Sequence, residues 1–287
     1  MRSKASACGS ATIINAIATG RGAAFAINLR VHAEVNLLEG KKKISGQVGE
    51  TSESSKLIET CVGKVLEDQG LRSQYGANVR TSVGVPIAVG LSSSSAAANA
   101  TVLAAYNALG KNPEPEKIIN LGVDASFAAG TTVTGAFDDA SASFLGGGVA
   151  TDNKKREILD RFEIDPDLKV LIFIPPQKSY TADFDVERVK CIEELVEFVY
   201  EEALAGNIYG AQTINGLLYC SVLEYDPKPA LEALRAGALS AGLTGTGPAF
   251  VAISEKNIVE EIEEVWKELD GSIIVTEPSI KGARIEK

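Results

Sequence analysis

The feature that most constrains this chain is a run of small residues, 86–96, which contains four consecutive serines and leads into an alanine-rich segment. Serine hydroxyls compete for backbone hydrogen bonds, so four in a row suit neither a strand nor a helix interior. They suit a helix start, and residues 92–109 are predicted to form a helix that ends at Gly110. Because a helix N-terminus offers free N–H groups and a positive dipole, we predict a phosphate site here, and hence a nucleotide site.

The same serines have a simpler interpretation as helix caps. One serine is sufficient to cap a helix, and four leave hydroxyls over for a ligand or a metal, which favours the nucleotide site. The chain contains no Gly-x-x-x-x-Gly-Lys-Ser/Thr motif and no Gly-x-Gly-x-x-Gly between a strand and a helix. A P-loop kinase is therefore excluded, and a dinucleotide-binding fold is disfavoured.

Composition limits the classes of partner. The 287 residues are enough for two domains. The net charge of −10 argues against a nucleic-acid or anionic-membrane surface, and no apolar stretch is long enough to span a bilayer. Four widely spaced cysteines and a single histidine argue against a structural zinc site and indicate free thiols in a reducing cytoplasm. The predicted partners are therefore small molecules.

Residues 1–33 contain no acidic side chain and four basic ones, a bias that is also typical of a transit peptide. The alternative is that this segment faces bound phosphate, where acidic side chains would be repelled. The polar break at residues 19–22 does not suit a secretory signal. We favour a mature cytoplasmic protein.

Charged residues at 152–157 and the turn sequence at 165–167 predict a break between two lobes, with domains at 1–157 and 158–287. Strands are predicted at 30–38, 42–48, 78–85, 168–174, 249–253 and 272–276, and helices at 55–69, 186–205, 208–224 and from Asn257 onward. The last helix has an apolar stripe at helical spacing that includes Trp266, which we interpret as core. Mixed strands and helices on both sides of the break predict an α+β protein.

Three segments together resemble the GHMP kinases, the small-molecule kinases named for galactose, homoserine, mevalonate and phosphomevalonate. Residues 86–94 resemble their second motif, and the glycine loop 242–248 with the apolar run after it resembles the third. Residues 4–22 lie where the first motif is expected, but lack its Gly-Glu and following His. That segment, together with 132–143, resembles the archaeal-type shikimate kinase branch. The resemblance covers most of the chain, and implies a two-lobed fold with a ribosomal-S5-like N-terminal domain and a ferredoxin-like C-terminal domain.

The resemblance also implies roles for individual residues between the two domains. The nucleotide-binding segment would comprise Pro86, Gly90, Leu91, Ser92, Ser93, Ser94, Ser95 and Ala96. Ser94 matches the family serine that contacts Mg²⁺, and Lys4 matches the lysine that begins the first motif. Lys4 lies so close to the N-terminus that a disordered, irrelevant residue is the alternative. Counting back from Gly146-Gly147 places Asp139 on the family's catalytic aspartate.

Asp138 and Asp139 are adjacent carboxylates in a stretch that is otherwise uncharged from 131 to 151. Such a pair is costly unless it is solvated or used. One use is to accept the proton of a substrate hydroxyl, and another is to cap a helix that begins at Ala140. We rank Asp139 above Asp138 as the base, a ranking that depends on geometry.

Three further residues are candidates for substrate binding. Arg21 lies between two glycines and could hold an acceptor carboxylate in a bidentate pair, or be a solvated turn residue. Gly245 and Gly247 could allow close backbone approach to the phosphates or the acceptor, or form only a tight turn.

The resemblance implies an ATP- and Mg²⁺-dependent kinase that phosphorylates the 3-hydroxyl of shikimate, within aromatic amino-acid biosynthesis. Homoserine and mevalonate are the alternative acceptors. A non-catalytic ligand-binding relic of the fold is the alternative from a different class. The residues leave the second Mg²⁺ ligand, the adenine pocket and the oligomeric state open.

Overall fold

The computed structural model describes residues 1–132, 134–176 and 186–286; Val133, in the segment 132–143, lies outside them. The strands are β1 (Arg2–Ile14), β2 (Arg21–Glu39), β3 (Ile44–Val48), β4 (Tyr75–Thr81), β5 (Gly148–Asp152), β6 (Glu157–Phe162), β7 (Lys169–Ile174), β8 (Ser240–Leu243), β9 (Phe250–Ser254), β10 (Ser272–Thr276) and β11 (Arg284–Glu286). The helices are α1 (Lys56–Asp68), α2 (Ser93–Ala108), α3 (Pro115–Ala129), α4 (Phe137–Leu145), α5 (Val186–Val189), α6 (Glu193–Leu204), α7 (Ile208–Leu223), α8 (Lys228–Arg235) and α9 (Val259–Lys267). None of the helices within these ranges combines the length and apolarity needed to cross a membrane.

The long strand β2 organises the first sheet. It runs antiparallel to β1, while its first residues pair with β5 and its later ones with β4. The sheet is completed by β6 beside β5, by β11 beside β1, and by β3 parallel to β4. Parallel neighbours need a crossover, and α1 supplies it. Helices α1 to α4 bury an apolar core against this sheet.

The second sheet has the order β10-β7-β9-β8, and all its neighbours are antiparallel. Helices α7, α8 and α9 pack against it. Trp266 of α9 is fully buried against Phe173 of β7, and its indole N–H donates to the carbonyl of Pro229 at 2.8 Å. The interpretation of the α9 stripe as core is therefore confirmed, as is the α+β class.

Strand pairing bears on the division into domains at residues 157 and 158, which stays a prediction. β6 begins at Glu157 and pairs with β5, so it lies in the first sheet. The chain enters the second sheet only with β7, and β11 returns to the first sheet beside β1. A division that follows the sheets would therefore fall after Phe162 and would assign the C-terminal strand to the first lobe.

Two predicted helices differ from those observed. The helix predicted at 186–205 is divided by a 3-10 helix at Lys190–Ile192 into α5 and α6. The helix expected to begin at Ala140 begins at Phe137, so both carboxylates of the acidic pair lie within its first turn. They are therefore not the residues that precede and cap it.

Candidate active site

A cleft of about 330 Å³ lies where the N-termini of α2 and α4 meet the end of β1. Its lining residues are Thr12, Asn15, Ala16, Ile17, Glu53, Ile87, Ala88, Gly90, Leu91, Ser92, Ser93, Ser94, Ser95, Ser126, Gly130, Thr131, Thr132, Thr134, Gly135, Ala136, Asp138, Asp139, Gly245 and Thr246. Three of these residues are acidic and none is Lys or Arg. The described wall of the cleft therefore carries hydroxyls, backbone groups and carboxylates, but no cationic side chain.

The two glycine loops predicted from the sequence pack against each other backbone to backbone. Gly90 has φ +86°, and a Cβ there would collide with the carbonyl oxygen of Thr244. The Thr244 hydroxyl donates to the Gly90 carbonyl at 3.0 Å, and the N–H of Ala249 donates to the Val89 carbonyl at 3.2 Å. A side chain at position 90 would collide with the second loop, and the positive φ of Gly90 would strain any residue other than glycine. Glycine is therefore needed for the two loops to pack this closely.

β1 joins these loops into one site. The hydroxyl of Thr12 accepts a hydrogen bond from the N–H of Gly245 at 2.9 Å, and the N–H of Thr12 donates to the Thr244 hydroxyl at 3.0 Å. Two residues earlier, the N–H of Ser10 donates to the Leu91 carbonyl at 3.3 Å. The N-terminal segment therefore contacts both the second and the third motif.

The serine run is not used as a conventional helix cap. Ser92 is the residue before α2, has a left-handed φ of 56°, and makes no side-chain capping hydrogen bond. Its hydroxyl instead hydrogen-bonds the carboxylate of Asp139. The first-turn N–H groups of α2 lack intrahelical partners, and the neighbouring side chains of Ser93, Ser94 and Ser95 line the cleft.

Asp139 lies in the first turn of α4 and keeps a partly exposed face toward the cleft. The hydroxyl of Ser10 donates to its Oδ1 at 2.9 Å, and Ser92 provides a second hydrogen bond. Burial raises the pKa of Asp139, while these two hydrogen bonds oppose the rise by stabilising the ionised form. The result is an oriented carboxylate at the edge of a cavity.

Asp138 is buried, with only 5% of its surface exposed, and is held by one partner. The amide of Asn153 donates to its Oδ1 at 2.8 Å, and the side-chain oxygen of Asn153 accepts from the Asp138 N–H at 3.1 Å. The hydroxyl of Thr151 donates to that same oxygen at 2.7 Å. Burial, followed by the adjacent charge of Asp139, raises the pKa of Asp138 to about 7. Both carboxyls line the cleft, but their environments differ: Asp138 is buried and bonded to Asn153, whereas Asp139 is partly exposed.

Lys4, for which a catalytic role is predicted, lies away from this site. Its ammonium is 3.5 Å from Glu34 on the neighbouring strand, and it borders a separate depression on the open face of the first sheet. Ser10 lies six positions further along β1, a span of about 20 Å in a strand. It therefore cannot contact a group bound at Asp139.

Arg21 is also placed differently from its predicted role. Its guanidinium is paired with Glu197 and Glu201 of α6 and lies over the ring of Tyr200, 5.7 Å from the centroid. It is not among the residues that line the cleft. The acceptor-carboxylate role is therefore not supported.

Of the remaining predicted residues, Ser92 to Ser95, Gly90, Leu91 and Gly245 line the cleft, while Pro86, Ala96 and Gly247 do not. Gly247 serves the turn instead, since its N–H donates to the Thr244 carbonyl at 2.9 Å and a Cβ there would meet the ring of Tyr225. The roles of the lining residues stay predictions.

The sequence reasoning missed Ser10, Thr12, Asn15, Asn153 and Glu53. For Ser10, Thr12 and Asn15 there was a signal, because all three lie in the acid-free N-terminal segment. Asn153 carries no such signal, because it lies in the charged turn at 152–157 that the sequence indicates as a break between two lobes. Among the described residues, no group of three or more His, Cys, Asp or Glu side chains could hold a metal ion on its own.

Two family models match the chain in the order of its lobes. Residues 56–147 match the model described as GHMP kinases N terminal domain, and residues 215–270 match GHMP kinases C terminal. The chain belongs to the GHMP kinases, and is therefore an ATP-dependent kinase of small molecules.

More closely, the chain is similar to curated proteins named shikimate kinase. It is 48% identical over 283 residues to one from Methanothermobacter thermautotrophicus, covering 96% of each chain. It is 47% identical over 275 residues to one from Methanosarcina acetivorans, covering 95% of this chain and 92% of the relative. Among solved structures, the mevalonate kinase of Methanococcus jannaschii superposes with a TM-score of 0.78 at 16% identity, covering 97% and 98% of the two chains. That likeness shows the fold alone, and the GHMP kinase fold expected from the sequence is confirmed.

Proposed function

We propose that this chain is a shikimate kinase, which transfers the γ-phosphoryl group of ATP to the 3-hydroxyl of shikimate and releases ADP and shikimate 3-phosphate. The observation that carries the proposal is the similarity, over nearly the whole chain, to proteins of that name. The site geometry supports it, because a carboxylate faces a cleft at the N-terminus of a serine-rich helix.

Asp139 is the proposed base. As the acceptor hydroxyl attacks the γ-phosphorus, its proton passes to Asp139, the new P–O bond forms, and the bond from the γ-phosphorus to the bridging oxygen of ADP breaks. Ser10 and Ser92 hold this carboxylate in one orientation and favour its ionised form. The N–H groups of the first turn of α2 bind phosphate oxygens, as helix N-termini do.

The residues of the cleft fit a magnesium ion. Mg²⁺ prefers oxygen ligands, and typically takes one or two from protein side chains and the rest from phosphates and water. The cleft offers the hydroxyl of Ser94 and its neighbours together with the carboxylate of Asp139, and the described lining offers no Lys or Arg that could neutralise phosphates. Ser94 would hold the ion, which would supply the positive charge that phosphoryl transfer needs.

A cytoplasmic location belongs to the same proposal. All four cysteines are free, and three of them are buried. Free thiols of this kind persist in a reducing compartment, and ATP is the substrate that a cytoplasmic kinase would use.

The test is an ADP-release assay with MgATP, run in parallel with shikimate, homoserine and mevalonate. We expect release with shikimate alone; release with another acceptor only would overturn the substrate, and nucleotide binding without any release would favour the non-catalytic alternative. Asp139→Asn should lower kcat by about 100- to 10,000-fold while ATP binding is retained. The matched control is Asp124→Asn, on the exposed face of α3 away from the cleft, which should keep wild-type turnover.

A further inference from the structure

Helix α7 presents two buried polar side chains to the end of β1. Asn215 and Tyr219 are four residues apart, so they lie on one face of the helix, and each is only 1% exposed. A buried amide and a buried phenol are costly unless they are hydrogen-bonded. Both are bonded to the same short turn, residues 15–18.

The hydrogen bonds tie the backbone of that turn to α7. The hydroxyl of Tyr219 donates to the carbonyl of Asn15 at 3.1 Å and accepts from the N–H of Ala18 at 3.1 Å. The side-chain oxygen of Asn215 accepts from the N–H of Asn15 at 3.1 Å. Two side chains of the second lobe therefore hold three backbone groups of a turn in the first.

The turn is also connected to the third motif. The side-chain amide of Asn15 donates to the carbonyl of Gly245 at 2.8 Å, and its oxygen accepts from the N–H of Ile17 at 3.0 Å. Gly216 of α7 packs so closely on Gly242 of β8 that a Cβ on it would collide with the Gly242 backbone. This close approach places α7 within hydrogen-bonding distance of the turn.

The turn lies beside the acid pair, on the wall of the cleft. Asn15, Ala16 and Ile17 line the cleft, and the methyl group of Ala16 and the carboxyl of Asp138 both lie against Gly22. The N-terminus of α2, where phosphates would bind, approaches Asp139 through Ser92. A hydroxyl that gives its proton to Asp139 must come from outside the nucleotide, and the turn forms the wall beside the acid pair.

We propose that Asn215 and Tyr219 are positioning residues that set the shape of the acceptor side of the cleft, so that they control acceptor binding and leave nucleotide binding unchanged. The proposal rests on the proposed function, because it takes shikimate as the acceptor. Neither side chain contacts the substrate; both act through the turn.

The test is the Tyr219→Phe variant, which removes one oxygen and leaves the Ala18 N–H and the Asn15 carbonyl without their buried partner. A buried N–H or carbonyl without a hydrogen-bond partner is costly. The turn should therefore shift so that these two groups form other hydrogen bonds. We expect the KM for shikimate to rise about tenfold, which corresponds to about 1.4 kcal/mol, with the KM for MgATP within about twofold of wild type. Asn215→Ala should produce the same split.

The matched control is Tyr106→Phe. This tyrosine is also buried, and its hydroxyl donates to Asp68 at 2.8 Å, but it lies at the far end of α2 from the serines. It should change neither KM. Thermal unfolding of each variant shows whether the fold persists. Tyr219→Phe is expected to fold, because it retains the buried aromatic ring.

The outcomes separate the two proposals. An unchanged KM for shikimate in a folded Tyr219→Phe protein, or equal increases in both KM values, would overturn the positioning role while the function stands. A wild type that does not phosphorylate shikimate would overturn the proposed function, and the positioning role with it.

Discussion

Ser10 has a specific expected effect on the pH dependence of the reaction. Its hydroxyl is fully buried and donates to Oδ1 of Asp139 at 2.9 Å, one of two hydrogen bonds that oppose the effect of burial on the pKa of that carboxyl. The Ser10→Ala variant removes this bond and leaves the rest of β1 in place. Asp139 then loses a bond that favours its ionised form, so its pKa rises further.

The size of the shift can be estimated from the bond. A hydrogen bond to a charged group contributes about 1.5–3 kcal/mol, and one pKa unit corresponds to about 1.4 kcal/mol. The pKa of Asp139 should therefore rise in the variant, and the acidic limb of the activity profile should follow it by at most about 1–2 pH units. A base must be ionised to accept a proton, so activity at low pH should be lost first. The acidic limb of the profile belongs to the pair that Asp138 and Asp139 form.

The measurement is kcat/KM for shikimate against pH. In Ser10→Ala the acidic limb should move upward by about 1–2 pH units, with most of the activity recovered above it. The matched control is Ser3→Ala on the same strand, where a buried serine donates to Asn107 at 2.9 Å outside the cleft. That variant should keep the wild-type limb.

One result would refute this reasoning. A folded Ser10→Ala protein whose activity falls by the same factor at every pH, with the limb in its wild-type place, would show that the hydroxyl does not tune Asp139. A limb that moves equally in Ser3→Ala would show that the shift reflects a general loosening of β1.

Two further predictions concern the stability of the protein and the role of Lys4. The pKa of Asp138 is raised to about 7 in the folded protein. The unfolded chain releases this proton at a lower pH, so the wild-type protein loses stability as the pH rises toward 7. The free energy of unfolding of Asp138→Asn, measured with denaturant, should therefore gain on that of wild type between about pH 4 and 7, by at most about 4 kcal/mol; a constant difference would contradict this. Lys4→Met should keep kcat/KM within about twofold, and a 100-fold loss would return Lys4 to the site.

Several elements of the fold could be predicted from the sequence because their signals are local. The serine run begins α2, the apolar stripe with Trp266 lies on α9, and β10 occupies the predicted residues 272–276. β1 escaped prediction because its alanines, serines and glycine have weak strand preference. It is a strand because β2 and β11 pair with both of its edges.

The sequence by itself determined the family and the candidacy of the serine-rich loop and the acid pair, because each depends on residues that are close along the chain. Only the tertiary structure decided which groups meet. Ser10 reaches Asp139 across 129 positions, and Tyr219 reaches Asn15 across 204. Lys4, six positions before Ser10 on the same strand, instead pairs with Glu34 and borders a separate depression. Such contacts follow from strand pairing and helix packing, in which one residue of register decides what a side chain faces.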